Sequence, residues 1–242
     1  MFDRRRSYSF AEQKHQRHRL IRLILFFVAL FALYNCLTAF FFSTWVLDNN
    51  SMRPGFAPGD RLLFTSFVLP AKAQELTSGS GSFPYKRGNI VLIDTGRQKQ
   101  RNWPLLILDG TVRFFTAQRI SIFANNGQHY IKRVIGLPGD EISMSNFVFR
   151  VRAAGSSYNL TEFELAEKPY FPDIPQIPAL WDETIPFSSS METVTLGPDE
   201  FFVVSDDRSN TNDSRTWGPV SGDLIVAKAI LRFWPLNKIS IP

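Results

Sequence analysis

A chain of 242 residues, 44% apolar and 14% aromatic, can bury a sizeable core, which excludes a disordered protein and leaves room for one or two domains. The formal charge of +5 sits at one end: residues 1–22 hold Arg4, Arg5, Arg6, Lys14, Arg17, Arg19 and Arg22 against Asp3 and Glu12, and the remainder is balanced. A nucleic-acid-binding domain needs a basic surface on its folded part, so no nucleic-acid partner is expected.

Directly after the basic arm, residues 23–42 (LILFFVALFALYNCLTAFFF) carry no charge, and a helix of that length crosses a hydrocarbon core of about 30 Å. The run exceeds the roughly 7–15 apolar residues of a cleaved signal and leads into Trp45 rather than a small-residue cleavage site. The expected organisation is a basic cytoplasmic arm (1–22), one transmembrane helix (23–43) and an exported domain (44–242), with the cations holding the arm inside. Cys36, the only cysteine, falls within the span, so neither an intrachain disulfide nor a cysteine metal cluster is expected.

Residues 44–49 read as extended, and a period of two places Trp45, Leu47, Asn49 and Ser51 on one face. In Asn50-Ser51-Met52-Arg53-Pro54 the proline restricts its neighbour, which predicts a defined turn carrying Ser51. Residues 61–69 suit a strand or a membrane-touching loop. Residues 71–84, centred on Ser78-Gly79-Ser80-Gly81-Ser82, read as a mobile loop, and 90–93 as a short buried strand. Residues 95–128 have no assignable pattern.

Residues 130–140 (YIKRVIGLPGD) place a lysine inside a short apolar strand. Alternation puts Tyr130, Lys132 and Val134 on one face and Ile131, Arg133 and Ile135 on the other. Burial lowers a lysine pKa by up to roughly 3–5 units, which makes Lys132 a candidate general base. A lone strand lysine is more commonly a snorkelling surface residue, so the assignment needs support from other stretches. Beyond residue 140, a strand at 147–151 enters a segment where Pro169, Pro172, Pro175, Pro178 and Pro186 exclude regular structure. An irregular insert is expected over about 141–200. Strands resume at 194–196, 201–204 and 224–233. Short strands between Gly and Pro turns predict an all-β exported domain, mainly antiparallel.

His15 and His18 belong to the cytoplasmic arm, and His129 alternates to the face opposite Lys132. A lysine is therefore the better candidate than a histidine for activating a serine. No H-E-x-x-H or Cys/His spacing suggests a metal, and no cofactor is expected. The polar run at 205–220 (SDDRSNTNDSRTWGPV) mixes hydroxyls, carboxylates and two arginines, a combination suited to a hydrogen-bonded network that orients a lysine.

Four stretches, SMRPGFAPGD, KRGNIVLID, YIKRVIGLPGD and DDRSNTNDSRTWGPV, occur in the order of the motif boxes of bacterial type I signal peptidases, and the resemblance spans residues 45–235. It implies a membrane-anchored serine–lysine endopeptidase with an all-β core. Such an enzyme removes signal peptides after small residues from exported preproteins at the outer face of the cytoplasmic membrane. Preproteins, membrane phospholipid and the export translocon are the implied partners. By the same resemblance Ser51 is the nucleophile and Lys132 the base. Thr211 stands where the family has a lysine-orienting serine, Asp213 and Arg215 match a structural ion pair, and Arg133 matches the basic neighbour of the lysine. Asn49 stands where many members have an oxyanion-stabilising hydroxyl, so Asn49 and the Ser51 backbone N–H are the expected oxyanion donors. Trp45, Leu47, Met52, Tyr130 and Ile131 correspond to walls of the substrate pockets.

Ser205, Asp207, Ser209 and Asn89 depart from the glycine, asparagine, aspartate and aspartate of the pattern. If the glycine serves a positive φ, Ser205 is strained. Two other readings are a processing peptidase of the same family dedicated to few substrates, and a membrane-tethered module that binds extended peptides without cleaving them.

Overall fold

The computed structural model describes residues 10–40, 42–65, 85–95, 108, 111–112, 129–176 and 189–242. The expected loop at 71–84 lies wholly outside these residues, as does nearly all of 95–128. The chain divides into two units, residues 1–41 with 102–123, and residues 42–101 with 124–242. The first unit contains α1 (Phe10–Phe40), which covers most of the predicted span. Side chains along α1 are described from residue 17 to 34, and Ile24, Leu25, Phe26, Phe27 and Val28 are exposed. Among the described residues no helix is long and apolar enough to cross a membrane.

The second unit is built from antiparallel strands, as the sequence predicts. One sheet comprises β1 (Phe42–Val46), β2 (Arg61–Thr65), β3 (Ile90–Asp94), β4 (His129–Gly136), β9 (Glu200–Val204), β10 (Val220–Ser221) and β11 (Ile225–Trp234). Its spatial order is β1-β2-β11-β3-β4-β9-β10. A second sheet has the order β7-β6-β5-β8 and comprises β5 (Glu141–Ser145), β6 (Val148–Arg152), β7 (Asn159–Thr161) and β8 (Met191–Thr195). The irregular insert expected over 141–200 is thus partly wrong. Alternation in β5 and β6 buries Ile142, Met144, Phe149 and Val151 against Phe202 and Val204, and this apolar face organises the segment into a sheet. Irregular backbone does occupy 166–172, where Pro169 and Pro172 fall. Two one-turn helices, α2 (Glu162–Leu165) and α3 (Ser214–Trp217), complete the described elements used below.

Strand β4 carries the lysine and has neighbours on both edges. It pairs with β3 from His129↔Asp94 to Arg133↔Ile90, and with β9 at Arg133↔Val204 and Val134↔Val203. The Lys132 side chain therefore projects from within the sheet, and the chain leaving β9 passes beside it. At Gly136, next to a register shift, a Cβ would lie 2.1 Å from Ile142 Cδ1, so glycine lets the two sheets approach here.

Strand β1 ends at Val46, earlier than the extended run predicted through Asn49. Leu47 donates its N–H to Asp60 O at 2.9 Å and accepts from Gly59 N at 2.7 Å. The chain then turns, with Arg53 N donating to Asn50 O at 3.0 Å and Phe56 N to Met52 O at 2.9 Å. Asn49 and Ser51 therefore lie in a turn, and the shared strand face expected for them does not form. Leu47, Met52 and Phe56 bury their side chains with Leu62, Phe64 and Ile90, which pins this turn to the sheet.

Candidate active site

Ser51 and Lys132 are each 2% exposed, yet both line a cavity of about 460 Å³ with Asp48, Asn49, His129, Tyr130, Asn210 and Asn212. Two hydrogen bonds tie the polar loop after β9 to this pair. Asp207 N donates to Ser51 O at 3.0 Å, and Lys132 Nζ donates to Ser205 Oγ at 2.8 Å. The loop thus holds the backbone of the hydroxyl-bearing residue and the side chain of the amine-bearing one.

Burial lowers the Lys132 pKa from 10.5 to about 8. Asp213 opposes that shift, Arg215 reinforces it, and Asp206 and Asp207 oppose it more weakly. The nearby carboxylates are engaged elsewhere. Arg215 forks onto Asp213 through Nε at 2.9 Å and Nη2 at 2.7 Å, while Arg133 forks onto Asp206 at 2.7 and 2.6 Å. Asp207 accepts from the backbone and hydroxyl of Ser209. Asp213 is held below the usual carboxylate range: burial alone would raise it, and the bonds from Arg215 and Ser205 N outweigh that cost. Trp217 lies 6.0 Å from the ammonium and packs on Tyr130 with ring centroids 4.9 Å apart, which keeps one side of the lysine apolar.

The arginines also shape the loop. Arg215 donates to Arg208 O at 2.8 Å and Asn210 O at 2.6 Å, and Arg133 donates to Gly88 O at 2.7 Å. Arg208, itself fully buried over Phe149, pairs with Glu162 at the start of α2. Of the residues in the polar run, Asp213, Arg215, Asp206 and Asp207 act on the Lys132 charge and Ser205 hydrogen-bonds it, whereas Arg208 is turned to Glu162 and Phe149. Asp206 stands in the polar run but its pairing with Arg133 was not foreseen, and nothing in the local sequence of Glu162 marks it as the partner of Arg208.

Three expectations need correction. Thr211 does not hydrogen-bond Lys132; its backbone carbonyl accepts from Thr216 Oγ1 and Asp213 N, and Ser205 contacts the lysine instead. Ser205 is also unstrained, since among the described non-glycine residues only Asn146 and Phe147 have positive φ. The second correction is Asn49. Its side-chain carbonyl accepts the Ser51 N–H at 3.0 Å, which closes that expected oxyanion donor into a local Asx turn, and one of its two amide N–H bonds is directed to Asp48 Oδ1 at 3.1 Å. Third, His129 lines the same cavity as Lys132 despite strand alternation. It begins β4, stacks on Trp45 with centroids 4.5 Å apart, and pairs with Asp94 at 3.4 Å.

Of the five expected pocket walls, Tyr130 lines the cavity. Leu47 and Met52 lie in the core, and Trp45 and Ile131 pack against the same cluster. Asn210 and Asn212 were missed as cavity residues, although they stand in the polar run. Asn210 Oδ1 accepts from Asn212 N, and Asn212 Oδ1 from Trp217 Nε1. Among the described residues no cluster of three His, Cys, Asp or Glu side chains suits a metal ion.

A buried serine and a lysine of lowered pKa beside one cavity can together perform nucleophilic attack on a carbonyl with proton transfer. A family model described as "Signal peptidase, peptidase S26" matches residues 20–234. Signal peptidase I of Bacillus caldolyticus is 32% identical over 183 residues, covering 74% of this chain and 84% of that protein. Signal peptidase I P of Bacillus subtilis subsp. natto is 25% identical over 231 residues, covering 95% and 97%. Signal peptidase IB of Staphylococcus aureus (strain Mu50 / ATCC 700699) is 29% identical over 117 residues, covering 48% and 58%.

Two predictions follow from this geometry. The depressed pKa means that the unfolded chain binds more protons than the folded one between pH 8 and 10.5, so stability rises with pH through that window. Below it, burial of the ammonium costs about 3 kcal/mol at roughly 1.4 kcal/mol per unit. Lys132→Met should gain up to about that much in urea unfolding at pH 7, with the gain shrinking towards pH 10.5; a pH-independent difference would show that the lysine is not desolvated. For the turn, Asn49→Asp keeps the acceptor and loses the amide donor. It should cleave a peptide substrate faster than Asn49→Ala, and the reverse order would return Asn49 to a donor role.

Proposed function

The chain belongs to the signal peptidase family, peptidase S26, and from that membership we propose that it is a membrane-anchored serine endopeptidase that removes signal peptides from exported preproteins. The observation that carries the catalytic assignment is that Ser51 and Lys132 line one cavity while burial holds the lysine pKa near 8. Neutral Lys132 accepts the Ser51 hydroxyl proton as Oγ attacks the scissile carbonyl. The tetrahedral intermediate collapses, Lys132 returns the proton to the departing amine, and the signal peptide remains as an ester on Ser51. Lys132 then takes a proton from water, the resulting hydroxide cleaves the ester, and the serine recovers its proton. Asn210 and Asn212 supply amide groups on the cavity wall for the carbonyl oxygen, in place of the Asn49 donor.

Anchoring follows from α1. Residues 23–42 are uncharged, and exposed apolar side chains at the consecutive positions Ile24, Leu25, Phe26, Phe27 and Val28 point to every side of the helix. A helix that is apolar all round and unburied by its own chain belongs in lipid. With the basic arm on the cytoplasmic side, the β unit works at the outer face of the cytoplasmic membrane, where exported preproteins emerge and phospholipid surrounds the anchor.

Ser51→Ala and Lys132→Ala should each abolish cleavage of a preprotein carrying an A-x-A-like site while leaving the far-ultraviolet circular dichroism unchanged. In the parent protein, kcat/KM should rise with pH through a midpoint near 8, because only about a tenth of Lys132 is neutral at pH 7. Parental rates in either variant, or a flat profile between pH 6 and 9.5, would overturn the dyad.

A further inference from the structure

We propose that Ser205 is the positioning residue for the Lys132 amine, taking the part that the family pattern gives to the hydroxyl at position 211. The inference rests on the reading of Lys132 as the base and concerns what aims it.

Three features fix Ser205. It directly follows β9, whose Val204 pairs with Arg133, so antiparallel register sets Ser205 opposite Lys132; directly opposed Cβ atoms lie about 4.5–5.5 Å apart. Its N–H donates to Asp213 Oδ2 at 2.9 Å, and Asp213 is locked by Arg215, so the backbone carrying the hydroxyl is anchored to the buried ion pair. It is fully buried, and its Oγ is the hydrogen-bond partner of Lys132 Nζ, at 2.8 Å.

The consequence is stereochemical. A neutral amine has two N–H bonds and one lone pair. An acceptor that captures one N–H restricts rotation about the Cε–Nζ bond and limits where the lone pair can point within the cavity that Lys132 and Ser51 both line. A hydroxyl does this without adding charge. A carboxylate in its place would hold the amine protonated, which is why the separate engagement of Asp206 and Asp213 by Arg133 and Arg215 matters. The sequence departs from the family pattern at both linked positions. A side chain has been added at 205, where the pattern has glycine, and the serine at 211 has become threonine, whose carbonyl serves Thr216 and Asp213. The orienting hydroxyl stands at the residue that follows β9 instead of at position 211.

The test compares Ser205→Ala, Ser205→Gly and Thr211→Ala in the full-length protein, using preprotein cleavage across pH. Both Ser205 variants should lose about 10–100-fold in kcat with KM within twofold, as expected for one charge-assisted hydrogen bond. Their rising pH limb should move to lower pH, because the lost bond favours the protonated amine over the neutral one; Asp213, Asp206, Asp207 and Arg215 remain around it. Thr211→Ala should lose less than threefold. Parental kcat in the Ser205 variants, an equal or greater loss in Thr211→Ala, or a loss with an unshifted limb would each overturn the proposal. Ser205→Gly adds no atoms to the buried site and stands in if the alanine variant fails to fold. Failure of the parent protein to cleave the preprotein would instead defeat the underlying reading of function.

Discussion

A lysine buried within a sheet is tolerated only if it is neutral or if its charge is met, and this constraint governs the architecture around residue 132. Meeting the charge with a carboxylate would be the simplest route to stability and would remove the base. Three carboxylates lie close enough to influence the amine, and two of them, Asp206 and Asp213, are occupied by the guanidinium forks of Arg133 and Arg215. The ion pairs therefore do more than join elements: they withhold negative charge from the lysine and leave it a hydroxyl partner. Desolvation then dominates, and the amine titrates near 8 instead of 10.5.

The same loop disciplines the nucleophile. Asp207 N–H reaches Ser51 O, the Asn49 carbonyl holds the Ser51 N–H, and Met52 is wholly buried beside it. Backbone bonds on either side of Ser51 and a buried neighbour leave its turn little freedom, which is the local rigidity that near-attack geometry needs. Because one loop bonds to both Ser51 and Lys132, a change in its conformation moves nucleophile and base together.

Much of this was legible in the sequence. Short continuous apolar runs marked β3 and β9, alternation divided the faces of β4, and the improbable lysine within β4 pointed to the chemistry. The pattern could not show where β1 stops, because that depends on Gly59 and Asp60 pairing with Leu47 across a turn, and so the face shared by Asn49 and Ser51 was overextended. Prolines at 169 and 172 did predict irregular backbone, and the strands at 147–151 and 194–196 were read singly, but the sheet they form with Glu141–Ser145 was not, although the apolar alternation at Ile142 and Met144 was there to be read. The exchange of Ser205 for Thr211 was invisible for a different reason. Which of two hydroxyls meets the amine is decided by the register between β4 and β9, a long-range property with no local signature. Asp206 and Glu162, as partners of buried arginines, were hidden in the same way.

The whole mechanism depends on Lys132 being a desolvated amine that loses its proton near pH 8. The most direct measurement is a nuclear magnetic resonance titration of the Lys132 side chain in protein carrying 13Cε-labelled lysine, with the resonance assigned by its loss in Lys132→Met. A Lys132 midpoint near 8 is expected. A Lys132 midpoint at the ordinary lysine value of 10.5 would show instead that the amine is not desolvated.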